Sequence, residues 1–179
     1  MRDRRPRWKE FDYRGKYRYF LTFCTRKRQP FFTQPDIVAG AWSQILISAG
    51  QTCFHVAAYV FMPDHIHLLV EGTTAECDLR RFAGLAKQRS ACHFSQRHGE
   101  ALWQPSFYDH VLRDEESSLP FLRYIIENPL RSGLVERIED YPFLATGALP
   151  VVDTIRILDE AGVPMWQPAP KRDTECRQP

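Results

Sequence analysis

Phe61-Met62-Pro63-Asp64-His65-Ile66-His67-Leu68-Leu69-Val70 reads at a period of two. Entered after a proline, it is a strand with Ile66, Leu68 and Val70 on one face and His65, His67 and Leu69 on the other. Two imidazoles two residues apart on a strand point the same way, so a single divalent cation can sit between them. The neighbours are apolar and β-branched, so the pair rides on sheet rather than on loop, where a site that must keep its geometry belongs. A strand histidine is commonly just a half-buried polar residue with one hydrogen bond. The pair therefore takes its meaning from the rest of the chain.

The chain has 179 residues, 44% hydrophobic and 13% aromatic, which is enough for one domain with its own core. Its five cysteines (Cys24, Cys53, Cys77, Cys92, Cys176) are odd in number and scattered, with no C-x-x-C pair. That pattern argues against a disulfide framework or a structural zinc site. No apolar run reaches the length of a membrane span, and the N-terminus lacks a signal-peptide core, so the expected setting is the reducing cytoplasm. Net charge is only +2, but the first 28 residues hold eleven Lys and Arg against Asp3, Glu10 and Asp12, with Tyr13, Tyr17, Tyr19 and Phe20 interleaved. Basic residues mixed with aromatics suit phosphate neutralisation and base stacking, and equally suit a solvated arm.

Read outward, the chain divides into a basic arm (1–16), a domain (17–145) and a proline-rich tail (146–179). Tyr17 to Thr25 alternates as a first strand. Residues 34–50 carry Ile37, Val38, Ala41, Trp42, Ile45 and Leu46 at helical spacing. Cys53–Phe61 and His65–Glu71 form a hairpin across Met62-Pro63-Asp64. A second helix is expected over 75–97 and a fourth strand over 107–112. A third helix over 115–127 should end at Asn128, because Pro129 disfavours helical geometry in the residue before it. Residues 141–179, with six of the 13 prolines, read as irregular apart from one short helix near 152–161. The order β-α-β-β-α-β is α+β and ferredoxin-like: an antiparallel sheet with both helices on one face, strands one and three central, and the other face free to carry a site.

The helix after the fourth strand supplies partners for the histidines. Tyr124 and Asn128 are four apart, hence on one helix face. Asn128 offers a carbonyl oxygen to a metal, with Glu127 as a rival oxygen ligand, and Tyr124 offers a phenol that can act as a covalent nucleophile. Without the histidines, a core-edge tyrosine and a helix cap would explain both. His55, His93, His98 and His110 have no such company.

The set TFCTRKRQPFF, VFMPDHIHLLVEG, AKQRSACHF, LWQPSFYDHVLRDEE and RYIIENPLRSGLVERIEDYPF, in that order over roughly 15–145, resembles the REP-associated tyrosine transposases. These are relatives of the single-tyrosine HUH transposases of insertion sequences, and His65-Ile66-His67 matches the HUH motif. The resemblance implies Mg²⁺ or Mn²⁺ held by His65, His67 and Asn128 against a phosphate of single-stranded DNA. It further implies attack by Tyr124 to give a 5′-phosphotyrosine and a 3′-OH, and rejoining without ATP. The implied partner is a palindromic DNA hairpin. Arg26, Lys27, Arg28, Lys87 and Arg89 are candidates for backbone contacts by residue type, Trp103 and Phe107 for stacking. Many relatives carry a histidine two residues after the tyrosine, where this chain has Ile126. The implied assembly is a monomer or a homodimer. Two rivals stand beside this reading: a hairpin-binding regulator that does not cleave, and a metal-dependent nuclease that activates water.

Overall fold

The structure is a computed structural model and describes residues 11–113, 115–147 and 149–167. The first ten residues of the expected basic arm and the last twelve of the tail lie outside the described residues.

Alternation builds the sheet as expected. Strands β1 (Arg18–Cys24), β2 (Phe54–Met62), β3 (His65–Gly72) and β4 (Tyr108–Leu112) are antiparallel, and β1 and β3 are central in the order β4-β1-β3-β2-β5. The fifth strand, β5 (Leu144–Thr146), pairs with β2 and was expected to be irregular tail. Its three residues are too few to show a period, but Tyr141 holds the approach to β5 by donating from its hydroxyl to the Phe61 carbonyl at 2.5 Å.

Each strand sorts its side chains between two cores. Tyr19, Leu21, Phe23, Ile66, Leu68 and Val70 face helices α1 (Pro35–Gln51) and α2 (Leu79–His98), which supply Ile37, Ile45, Phe82 and Ala86. Phe20, Val60, Met62 and Leu69 face the other way, toward α3 (Leu119–Arg131) and α4 (Val151–Glu160). A β-bulge between Val56 and Ala58 shifts the alternation of β2, so that Phe54 and Val56 face the same core as Tyr59 and Phe61. The face expected to be free is thus roofed by the tyrosine helix and α4, and the site lies beneath that roof. α2 begins four residues later than its periodicity suggested. Residues 73–78 make turns, Leu79 N–H donates to the Tyr13 carbonyl, and the Asp78 carboxylate caps the helix through the Arg81 N–H.

The third helix departs most from expectation, at both ends. Its start is set by Arg18, whose guanidinium donates to the Arg113 and Glu116 carbonyls and to Ser118 Oγ, holding 113–118 as turns. Pro120 then enters at the first turn, where its missing N–H costs nothing. The helix does not stop before Pro129. It runs on to Arg131 with Pro129 buried beside Ile125 and Ile126. The stop lies at Gly133, in the left-handed region at φ 66. Gly133 N–H bonds back to the Leu130 carbonyl and Leu134 N–H to the Pro129 carbonyl, the paired bonds of a Schellman end. That closure satisfies the last carbonyls and carries the helix past its proline.

Candidate active site

The two histidines stand where the strand period puts them, each flanked on both sides: Cys24 and Met62 beside His65, Thr22 and Val60 beside His67. His67 is buried and stacks on Phe20, with ring centroids 5.1 Å apart. The Nε2 atoms of His65 and His67 are 3.1 Å apart. Both outer nitrogens are engaged: His65 Nδ1 lies 2.6 Å from Asp64 Oδ1, and His67 Nδ1 2.8 Å from Thr22 Oγ1. Rings anchored through Nδ1 present Nε2 inward, the arrangement that orients metal-binding imidazoles. Asp64 is in turn gripped by Arg28, Nη1 to Oδ2 at 3.0 Å. Burial alone would lift the Asp64 carboxyl, but its hydrogen bond to His65, the charge on that ring and the Arg28 guanidinium outweigh it and hold the pKa below the usual carboxylate value.

The donor set fits a divalent ion. Two ligands about 2.0–2.1 Å from one ion and near a right angle are about 3 Å apart, as the Nε2 atoms are. Among the described residues no three His, Cys, Asp or Glu side chains gather at ligand spacing. Asn128 is buried one turn beyond Tyr124, and its Nδ2 lacks any hydrogen-bond partner. Glu127, its rival, is committed elsewhere: Arg123 Nε donates to Glu127 Oε1 at 2.8 Å, and the same guanidinium pairs with Asp159 of α4 and reaches the Val163 carbonyl.

Tyr124 is brought to the histidines within one chain. Its ring meets His67 edge-on at 5.4 Å between centroids and is bounded by Phe20 and by Trp166 at 5.2 Å. The Arg131 guanidinium lies over the same ring, 5.2 Å from its centroid. Thr22, Asp64, Trp166 and Arg131 were missed in the sequence. Thr22 is detectable only once β1 and β3 are in register, and Arg131 only once the helix is known to pass Pro129.

The expected DNA contacts separate into two groups. Arg26 and Lys27 are exposed in a turn (Arg26–Arg28) directly after β1, at the His65 end of the sheet, and Arg28 beside them touches Asp64 and His65. The turn takes left-handed backbone at Lys27 and Arg28, and is pinned by bonds from Thr25 N–H to the Asp64 carbonyl and from Arg26 N–H to the Leu102 carbonyl. The rest lie on the α1–α2 side. Trp103 is not a stacking platform: it is buried against Phe23 and Phe32 and donates from Nε1 to Ser90 Oγ at 2.8 Å. Phe107 packs half-buried against Phe23. Lys87 Nζ is spent on the carbonyls of Gln104, Pro105 and Ser106, and burial lowers its pKa to about 8. Arg89 donates to Gln51 Oε1 at 2.8 Å across the two helices. Residue type alone does not distinguish a solvated cation from one enclosed by carbonyls.

Residues 14–128 match the family model described as "Transposase IS200 like". An Escherichia coli protein named REP-associated tyrosine transposase is 28% identical over 131 residues, covering 72% of this chain and 74% of its own. A Haemophilus influenzae protein provisionally given the same name is 32% identical over 140 residues, covering 70% of this chain and 77% of its own. A solved structure of a REP-associated tyrosine transposase bound to a REP hairpin superposes with a TM-score of 0.64 at 21% identity, over 97% of this chain and 98% of that one, a likeness of fold. This chain belongs to the IS200-like transposases, in their REP-associated tyrosine branch.

Proposed function

We infer that this chain cleaves and rejoins single-stranded DNA next to palindromic hairpins through a covalent tyrosine intermediate, with a divalent ion as cofactor. The observation that carries the reading is the 3.1 Å separation of the His65 and His67 Nε2 atoms beside the ring of Tyr124. Hairpin DNA as substrate is supported by the relatives' name and by the hairpin bound to the solved relative.

His65, His67 and the Asn128 amide would hold the ion, Mg²⁺ or Mn²⁺. Two imidazoles favour Mn²⁺, since Mg²⁺ prefers an all-oxygen shell. When bound, the ion supplies Lewis-acid polarisation of the phosphoryl oxygen. The protein does the rest. Asp64 and Thr22 hold the two rings with Nε2 forward, and the exposed Arg26 and Lys27, in the turn whose Arg28 touches Asp64 and His65, would neutralise flanking phosphates. Tyr124 Oη bonds to phosphorus, the bond to the 3′-oxygen breaks, and that oxygen leaves as a 3′-hydroxyl. The phosphotyrosine keeps the phosphodiester energy, so a second 3′-hydroxyl can reverse the step. Because α3 packs over the β3 of its own chain, a monomer suffices.

The test is incubation with a 5′-extended DNA hairpin and Mn²⁺, followed by a denaturing gel. A protein–DNA adduct that disappears with Tyr124→Phe while hairpin binding persists is the expected result. Cleavage giving a free 5′-phosphate and no adduct would leave a water-activating nuclease. Tight hairpin binding with no cleavage at all would leave a regulator.

A further inference from the structure

Arg131 lies seven residues after Tyr124, two helical turns along the same face. It is exposed, and its guanidinium sits over the Tyr124 ring at 5.2 Å. Among the described residues this guanidinium has no carboxylate, carbonyl or hydroxyl partner. Other arginines near the tyrosine helix are committed: Arg123 to Glu127 and Asp159, Arg18 to the turn before α3, Arg28 to Asp64. The backbone that delivers Arg131 is unusual as well. The helix continues through a buried Pro129 and closes on Gly133, and without that extra turn the guanidinium would not reach the phenol.

We propose that Arg131 is a catalytic residue that clamps the non-bridging oxygens of the scissile phosphate during attack by Tyr124. The proposal rests on the transesterase reading above and adds to it a second source of positive charge, supplied by the protein. As the bond from the Tyr124 oxygen to phosphorus forms and the bond from phosphorus to the 3′-oxygen breaks, the electron pair passes to that oxygen. The phenolic proton leaves to water, and the departing 3′-oxygen takes one up. In between, extra negative charge gathers on the two non-bridging oxygens. A guanidinium stays protonated throughout and offers paired N–H donors in the plane those oxygens need. Resting over the phenol face keeps the arm beside the attacking residue before DNA arrives, so little ordering remains to be done at the moment of transfer.

The experiment compares the wild-type chain, R131A and R131K on two hairpin substrates with Mn²⁺. One carries the natural phosphate at the position the wild-type chain cleaves, and the other a methylphosphonate, in which a methyl group replaces one charged oxygen. On phosphate, single-turnover adduct formation should fall about 100-fold or more in R131A and recover in part in R131K, with hairpin affinity and melting temperature unchanged. On methylphosphonate, where there is less charge to clamp, the wild-type chain and R131A should react at similar rates. A loss of equal size on both substrates would mean that Arg131 only braces the ring, and would overturn the assignment. So would wild-type rates for R131A on phosphate. No adduct with the wild-type chain would overturn the transesterase reading, and the assignment with it.

Discussion

Thr22 and Trp103 illustrate how little a residue's type says about its task. Thr22 is one of several small polar residues in the chain, yet its hydroxyl lies 2.8 Å from His67 Nδ1 and holds that ring in place. Thr22→Val keeps the shape and removes the oxygen, so Mn²⁺ affinity measured by calorimetry should fall about tenfold with the fold intact. Trp103 sits next to Gln104-Pro105-Ser106 and reads as a loop aromatic awaiting a base, but its indole is sealed in the core and bonded to Ser90. Trp103→Ala should cost about 3–5 kcal/mol in chemical denaturation, and hairpin affinity should be unchanged where the variant remains folded. The histidines were legible because a period of two is unambiguous in an apolar strand. Lys87 was not, because three carbonyls from a distant loop decide whether its ammonium meets solvent or protein.

At the level of elements, periodicity found α1, α2 and the four main strands to within a few residues, and the ends were set by contacts it does not contain. Pro129 does not end α3, and Ser132-Gly133 does. A proline in the last turn of a helix can be carried when its ring is buried and a Schellman closure follows, and that closure is what brings Arg131 to Tyr124. β5 was invisible for another reason: three residues in a proline-rich stretch have no period, and pairing with β2 makes them a strand. The lead into β5 yields a pH prediction. Burial raises the Tyr141 phenol from 10.0 to about 12. The unfolded chain loses that proton near the ordinary value while the folded chain keeps it, so the stability Tyr141 contributes is whole below about pH 10 and is lost as pH climbs toward 12. Wild-type and Tyr141→Phe stabilities, measured by denaturant titration, should therefore converge between about pH 9 and about pH 11. A constant difference would mean that the hydroxyl is not buried.

For the whole molecule, one sheet carries two cores: α1 and α2 secure the scaffold on one side, while α3 and α4 assemble the chemistry on the other. The segment before β1 closes the scaffold side. Tyr13 is buried, Gly15 N–H bonds to the Cys77 carbonyl, and a Cβ on Gly72 would come within 2.2 Å of the Gly15 carbonyl oxygen. Gly72→Ala should pry residues 13–15 away, seen as lost hydrogen-exchange protection at the Gly15 amide and about 1–3 kcal/mol of lost stability. The order of strands and the pairing of histidines with a tyrosine helix could be read before any coordinates. The roof over the second face could not, since it depends on how α3 and α4 pack across the strands, through contacts between segments far apart in the chain that no local period contains. If two imidazoles and one phenol of a single chain converge on one DNA phosphate, the cleaved strand must end on that phenol. Digesting the trapped protein–DNA adduct with trypsin and locating the modified peptide by mass spectrometry decides this. The added nucleotide is expected on the peptide Tyr124–Arg131, carried by Tyr124. A nucleotide on any other residue, or cleaved DNA with every peptide unmodified, rules the convergence out.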